Sequence, residues 1–271
     1  ASPGSRPVNG EADLIQEKQR RLAEITELIH TASLLHDDVI DDADTRRGVA
    51  SVNQVFGNKL AILAGDFLLA RASLSLARLR NVEVVEVLST VIEHLVRGEV
   101  MQMRGSPDDG PFVAYMRKTY FKTGSLMANS LMATAILGEH DAATQAAAFQ
   151  YGKHIGLSFQ LVDDWLDYTE SAAALGKPAM ADLKGGVITA PFLFAQQKFP
   201  HLEAIAKRKS SEPGDVEEVV RCIQAAQGLE QTRALAVWHA HRALQAVDSF
   251  APSPALDALR ALVVRVVDRS K

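Results

Sequence analysis

The chain has 271 residues, of which 47% are hydrophobic and 23% charged, and its mean hydropathy is zero. These are globular proportions, and they exclude disordered and low-complexity classes. Lys and Arg number 29 against 33 Asp and Glu, a net charge of −4, which argues against a nucleic-acid binder. A single cysteine, Cys222, excludes an internal disulfide and a cysteine-rich zinc site. The longest uncharged run, Thr123 to Gly138, has 16 residues. That is short of the ~20 a spanning helix needs, so a soluble protein is expected. The chain begins at Ala1 rather than Met, which reads as a processed or truncated piece.

Proline is absent from Val8 to Ser106 and again from Phe112 to Lys177. Strands and turns would need more breakers, whereas Ala, Leu, Glu, Gln, Arg and Met favour helices. The first helix is predicted from Glu11 to Asp42, where Leu22, Ile25, Ile29, Ala32 and Leu35 recur at helical spacing. Further helices are predicted over Asn53–Arg80, Val82–Arg104, Phe112–Leu137 and Asp141–Thr169, the last with Asp141 as N-cap. Loops follow at Gly105–Pro111 and Glu170–Gly186. Helices over Thr189–Gln197, Gly214–Ala226, Leu229–Phe250 and Pro254–Ser270 complete the chain. No repeat and no Pro/Gly/Ser-rich linker divides it. The expected fold is therefore an all-α, single-domain bundle of helices over residues 1–271.

Two segments carry the chemistry: His36-Asp-Asp-Val-Ile-Asp-Asp-Ala-Asp-Thr-Arg-Arg-Gly48 and Phe159-Gln-Leu-Val-Asp-Asp-Trp-Leu-Asp167. Each holds Asp-Asp-x-x-Asp. On a helix this puts Asp37 with Asp41, and Asp163 with Asp167, on one face. Like charges at i,i+4 cost helix stability. One such cluster reads best as a solvated acidic face. Two copies of the same spacing inside otherwise apolar helices point instead to a hard divalent cation. The acids do not follow the EF-hand spacing, and zinc prefers His and Cys, so Mg²⁺ is the expected ion. Mg²⁺ on one or two carboxylates completes its shell with water and phosphate oxygens. Basic groups stand near each cluster: Arg46 and Arg47, Arg117, Lys118 and Lys122, Lys177 and Lys184. Mg²⁺ and a diphosphate are the expected pair of ligands.

The segment Leu28–Gly48 resembles the first aspartate-rich region of trans-polyprenyl diphosphate synthases, and Gly156–Asp167 resembles the second. Leu63-Ala-Gly-Asp66, Gly98-Glu-Val-Met-Gln102, Lys122-Thr-Gly124 and Gly176-Lys-Pro178 match further landmarks of that family in order. The resemblance covers the chain after about Gln19 and is strongest to the long-chain synthases that make the ubiquinone side chain. It implies an isoprenoid-synthase bundle of antiparallel helices around a central cavity. It also implies condensation of isopentenyl diphosphate with an allylic diphosphate, with Mg²⁺ between the two clusters. By motif position Asp37, Asp41 and Asp163 are the metal ligands, Asp38 and Asp167 are supporting candidates, and Asp164 is a weaker one. Arg46, Lys122, Thr123, Gln160 and Lys177 would contact the allylic diphosphate, and His30 and Arg47 isopentenyl diphosphate. Ala32 and Ser33, one turn before the first cluster, are small where short-chain members are bulky, which implies a long product.

The same resemblance implies a homodimer or heteromer, peripheral membrane association through the product, and a mitochondrial location in a eukaryote or a cytoplasmic one otherwise. Two departures stand out. The family's Gly-Lys-x-x-Arg-Pro motif has no counterpart before Leu28, so N-terminal helices are expected to be missing. Val187 stands where many members have Lys. Weak isopentenyl diphosphate binding and a weakly active or inactive fragment are expected. Three rival readings fit the sequence less well. A class I terpene cyclase would line its pocket with aromatics, which make up only 6% here. A non-catalytic subunit would be expected to lose acids from one cluster, and both are intact. A helical scaffold leaves the duplicated aspartates unexplained.

Overall fold

The computed structural model describes residues 17–104, 110–173 and 187–269. Among them the regular structure is helical apart from one short hairpin, which is the all-α class expected. It forms two compact units, Ala1–Ile92 with Asn129–Gln145 and Glu93–Ala128 with Ala146–Lys271.

The first unit is built on α1 (Glu17–Ile40), α2 (Val52–Phe56) and α3 (Asn58–Arg78). In α1 the residues Leu22, Ile25, Ile29 and Ala32 are fully buried at spacings of three and four, as the periodicity predicts. Leu35, the next in the series, is half-buried. The α1 stripe packs along α3, whose Ala61, Gly65, Ala72 and Leu76 are buried. Gly65 lets the His36 ring lie against the helix, because a Cβ on it would lie 2.3 Å from His36 Nε2 and push the ring aside. That ring nitrogen rests 3.2 Å from the Ile62 carbonyl and 3.5 Å from Asp66. The Leu63–Asp66 landmark is thus the floor on which the end of α1 sits.

The single helix predicted over Asn53–Arg80 breaks at Gly57, whose φ of +83° no L-residue adopts cheaply. Between α1 and α2 lies a hairpin of β1 (Thr45–Arg46) and β2 (Val49–Ala50), with Arg46 opposite Val49. The helical reading gave no hint of it. By length and composition α3 is long and apolar enough to cross a membrane, alone among the described helices. The uncharged-run count missed it because Asp66 and Arg71 interrupt the run. Its exposed face carries Leu60, Leu63, Phe67, Ala70, Leu74 and Ala77, at alternating spacings of three and four.

Helices α4 (Val82–Arg104), α6 (Ser125–Leu137) and α7 (Ala142–Ala173) contribute to both units. Asn81 starts α4 by accepting from Val84 N–H at 3.0 Å. Asp141 caps α7 as predicted, accepting from Thr144 N–H at 2.9 Å. The second unit adds α5 (Pro111–Thr119), α8 (Ala190–Lys198), α9 (Leu202–Lys207), α10 (Asp215–Ala226), α11 (Gly228–Ala246) and α12 (Pro254–Val267). The predicted helix Phe112–Leu137 is interrupted by a π turn at Tyr120–Gly124 between α5 and α6. Helix α9 was unforeseen, being six residues long and too short for a periodic signal.

The core of this unit gathers Leu161, Val162 and Leu166 of α7 with Tyr115, Leu193 and Ala236. A second cluster joins Tyr168 and Phe192 to Leu202, Ile205, Val219 and Cys222. The predicted loops at Gly105–Pro111 and Glu170–Gly186 lie mostly outside the described residues, as does the start of the predicted first helix.

Candidate active site

One acidic cluster lies in each unit. In the first, Asp37 and Asp41 are one helical turn apart, and Asp41 N–H donates to the Asp37 carbonyl at 2.8 Å. Helix α1 ends at Ile40, and its last turn holds no basic residue. The negative end of the helix dipole therefore meets Asp37, Asp38 and Asp41, where each acid costs about 0.3–1 kcal/mol. Nothing in helix formation favours this pattern. A cation held by the carboxylates would offset it, and an all-oxygen donor set fits a hard ion.

Asp38 points inward and is 3% exposed. Its Oδ1 accepts from Arg46 Nε at 2.9 Å, and Arg46 Nη2 reaches the same oxygen. That hydrogen bond, reinforced by the charges of Asp38, Asp37 and Asp41, raises the Arg46 pKa against the opposing effect of burial. The hairpin makes the contact possible. Its turn residues Arg47 and Gly48 have φ of +52° and +81°, the two positive values a tight type I′ turn requires. Strain at Arg47 is thus stored where the chain displays two adjacent guanidiniums, Arg46 folded back on Asp38 and Arg47 exposed. Ser51 and Asn53 anchor the far side by donating to the Ala43 carbonyl at 2.6 and 3.2 Å. Of the other residues singled out in α1, His30 is half-buried and its carbonyl accepts from Ser33 Oγ at 2.8 Å. Ala32 is fully buried and Ser33 half-buried.

In the second unit Asp163 and Asp167 share one face of α7. Arg269 donates to Asp163, and its guanidinium carbon stands 4.3 Å from the centre of the Phe159 ring. Asp167 Oδ2 is buried. Asp164, the weaker candidate by motif, is a structural hub. It is 3% exposed and accepts from Tyr115 OH at 2.6 Å, Ala190 N–H at 2.9 Å and Gln160 Nε2 at 3.1 Å. Burial still raises its pKa, outweighing those hydrogen bonds. Gln160 Oε1 in turn accepts from Thr123 Oγ1 at 3.1 Å, so the hub fixes two predicted diphosphate contacts through one chain of bonds.

Lys122 and Thr123 sit in the π turn. Such turns insert one extra residue into a helix and re-aim the side chains there. The Lys122 ammonium pairs with Glu99 and lies 3.3 Å from Gln102 Oε1. Gly98 permits this, since a Cβ on it would lie 2.7 Å from Lys122 Cγ. The motifs Gly98–Gln102 and Lys122–Gly124 therefore meet in space. Gly156 of α7 packs on the same turn, its virtual Cβ only 2.7 Å from Gly124 Cα. Lys177 and Lys184 lie outside the described residues.

Sequence reasoning passed over Glu99, Gln102, Tyr115 and Arg269. The first two stood inside a quoted landmark, which was a usable signal. Tyr115 and Arg269 reach α7 from 49 and 106 residues away and left none.

The chain is 51% identical over its whole length to a probable mitochondrial hexaprenyl pyrophosphate synthase of Neurospora crassa, of which it covers 62%. It is 46% identical to the human all-trans-polyprenyl-diphosphate synthase, over 95% of this chain and 62% of that protein. The chain thus spans about three-fifths of the length of the curated relatives it matches. Among solved structures, a decaprenyl diphosphate synthase from Rhodobacter capsulatus superposes with a TM-score of 0.86 at 29% identity, over 96% of this chain and 85% of that one. An Arabidopsis medium/long-chain prenyl pyrophosphate synthase gives 0.81 at 42% identity, over 94% and 82%. The polyprenyl synthetase family matches residues 8–223. Both aspartate regions fall inside that match, and the chain belongs to the polyprenyl synthetase family.

Proposed function

We propose that the protein is a Mg²⁺-dependent trans-prenyltransferase. It joins isopentenyl diphosphate to an allylic diphosphate and builds a long-chain all-trans polyprenyl diphosphate for ubiquinone. The observation that carries this reading is the pair of i,i+4 carboxylates in each unit, Asp37 with Asp41 and Asp163 with Asp167, in a chain of this family. Each pair, with Asp38 in support of the first, would hold Mg²⁺. When bound, the ion neutralises the diphosphate and eases its departure.

In the reaction the C1–O bond of the allylic substrate breaks and its electron pair leaves with diphosphate. The double bond of isopentenyl diphosphate supplies the pair for the new C–C bond. A proton is then lost from C2, and diphosphate is the base that takes it. The protein's own groups bind and orient. Lys122, Thr123 and Gln160 are held by the π turn and the Asp164 hub so that they meet the allylic diphosphate without reorganisation. Arg46 adds charge beside the first cluster, while His30 and Arg47 serve isopentenyl diphosphate. Lys177 belongs to the allylic set by motif. Ala32 and Ser33 leave room for a growing tail, which supports a long product.

A mitochondrial location is supported by the Neurospora crassa and rice relatives, which are named as mitochondrial synthases. The polyprenyl product would tie the protein to a membrane surface. The apolar seam of α3 supports a homodimer, since its alternating three- and four-residue spacing is that of helix-to-helix packing. The function is tested by Mg²⁺-dependent incorporation of labelled isopentenyl diphosphate into an allylic primer, with the product sized by chromatography. Asp37→Asn and Asp163→Asn should each reduce turnover on the order of 10²-fold or more. Undiminished turnover in either variant would overturn the assignment.

A further inference from the structure

We infer that His201, Glu218 and Cys222 form a mixed-donor site for a divalent transition metal, and that Zn²⁺ is the ion it fits. The three residues lie in the second unit and take no part in the aspartate clusters. Glu218 and Cys222 are four residues apart on α10, so both side chains leave one face of the helix, a spacing that metal-binding helices use. His201 immediately precedes α9, which is anchored in the same core by Leu202 and Ile205. Cys222 is itself part of that core and is 1% exposed, whereas the His201 side chain is half exposed. The site is thus rigid on its inner side and open to water on the other.

The donor atoms already converge. His201 Nε2 is 2.9 Å from Glu218 Oε1, Cys222 Sγ is 3.4 Å from the same oxygen, and Sγ is 3.9 Å from Nε2. Tetrahedral zinc, with bonds of about 2.0–2.1 Å to N and O and about 2.3 Å to S, sets its donors roughly 3.3–3.6 Å apart. The three atoms need shifts of only a few tenths of an ångström to surround one ion. Water would take the fourth position on the exposed side. One nitrogen, one oxygen and one sulfur suit Zn²⁺ and are wrong for Mg²⁺, which wants oxygen throughout.

Arg221 orients the carboxylate, with Nε 3.0 Å from Glu218 Oε2 and Nη2 2.7 Å from both oxygens. It would keep Oε2 when Oε1 turns to the metal. Hydrogen bonds from Arg221, His201 and Cys222 hold the Glu218 pKa down to about 2, so this ligand is already ionised. Without metal the Cys222 thiol keeps its proton and donates it to Glu218 Oε1. Binding therefore forms an S–metal bond and releases that proton to solvent.

Co²⁺ is the probe of choice, because a thiolate ligand gives it an intense charge-transfer band that carboxylates do not. Cys222 is the only cysteine in the chain, so the band can report no other residue. Titrating metal-free protein with Co²⁺ should raise the band to saturation at one ion per chain. Zn²⁺ should abolish it and excess Mg²⁺ should not. Cys222→Ser should remove the band, and His201→Ala and Glu218→Gln should each weaken Co²⁺ binding at least tenfold. Absence of the band in the wild-type protein overturns the site, as does a band unaffected by His201→Ala. The partly exposed His201 makes that variant a safe test even where Cys222→Ser fails to fold.

Discussion

Arg269 puts its guanidinium on Asp163, the leading acid of the second cluster, and on the face of Phe159. The contact is prepared from behind. Arg233 donates to the Val267 carbonyl, lies 3.8 Å from Asp268, and has its guanidinium carbon 5.2 Å from the Trp165 ring centre. The chain after α12 is therefore held down just where a divalent cation would bind. Replacing Arg269 with Ala removes a competing charge from a part-exposed carboxylate. Mg²⁺ or Mn²⁺ affinity at that cluster should rise about three- to tenfold, the equivalent of roughly 1 kcal/mol. Calorimetry on the variant checks this, and unchanged affinity would show that the ion does not compete with Arg269.

Asp164 should matter more to stability than either acid beside it. Asp164→Ala leaves the Tyr115 hydroxyl, the Ala190 amide and Gln160 Nε2 without their shared acceptor. The expected cost is about 3 kcal/mol, given ~1–3 kcal/mol for each buried donor left unsatisfied. Asp164→Asn keeps one acceptor oxygen and should cost less. Denaturant midpoints of the two variants give the comparison.

Gly156→Ala tests the packing of α7 on the π turn. The new Cβ would meet Gly124 Cα at 2.7 Å, and backbone cannot swing aside as a side chain can. Overpacking of this kind costs about 1–3 kcal/mol. The displaced turn also carries Lys122 and Thr123, so turnover should fall further than the loss of stability explains. A variant with lower thermal stability and normal kcat would argue against that coupling.

The buried pair His154 and His239 sets an acid limit. Their Nδ1 atoms are 2.8 Å apart, so one ring donates and the other accepts, a bond that two neutral rings can make. Burial, with Lys153 and Arg242 adding to it for His154 and His154 and Lys153 for His239, pushes each pKa down to about 4. Between that value and the unfolded value near 6.5, the unfolded chain binds more protons than the folded one. Stability therefore falls as pH drops through this window, by at most about 1.4 kcal/mol per pH unit for each ring. Thermal melts from pH 7 to pH 4.5 should show the decline. His154→Gln combined with His239→Gln should flatten it.

The α3 seam predicts its own partner. Leu63→Glu with Phe67→Glu puts two charges in the middle of an exposed apolar stripe and touches nothing buried. Light scattering should then report the mass of one chain where the unaltered protein reports two. Equal masses would remove α3 from the interface.

Much of this was legible beforehand, for identifiable reasons. The core stripe of α1 was readable because Leu22, Ile25, Ile29 and Ala32 follow the helical period with no interruption. The acid pairs were readable because i,i+4 on a helix fixes a shared face whatever surrounds it. The hairpin was not, since Arg-Gly is a weak turn signal and two-residue strands have no alternation to detect. The π turn was hidden for the opposite reason, as Phe112–Leu137 reads as unbroken helix in composition. Asp38 and Asp164 are indistinguishable from their neighbours by letter. Only their burial separates them, Asp38 under Arg46 and Asp164 beneath three donors. That difference is written in Tyr115, Ala190 and a hairpin turn, all remote from the motifs themselves.

The turn at Tyr120–Gly124 amounts to a single surplus residue that the chain retains. Deleting one residue there would restore an ordinary helix from Pro111 to Leu137, with regular bonding and nothing to disfavour it. The side chains within the turn would change direction, since the wider turn absorbs the extra residue and a regular helix would not. The shortened protein should fold at least as firmly and lose its grip on Lys122 and Thr123. The surplus residue makes no better helix, and its persistence marks a spot where regularity has been given up for aim.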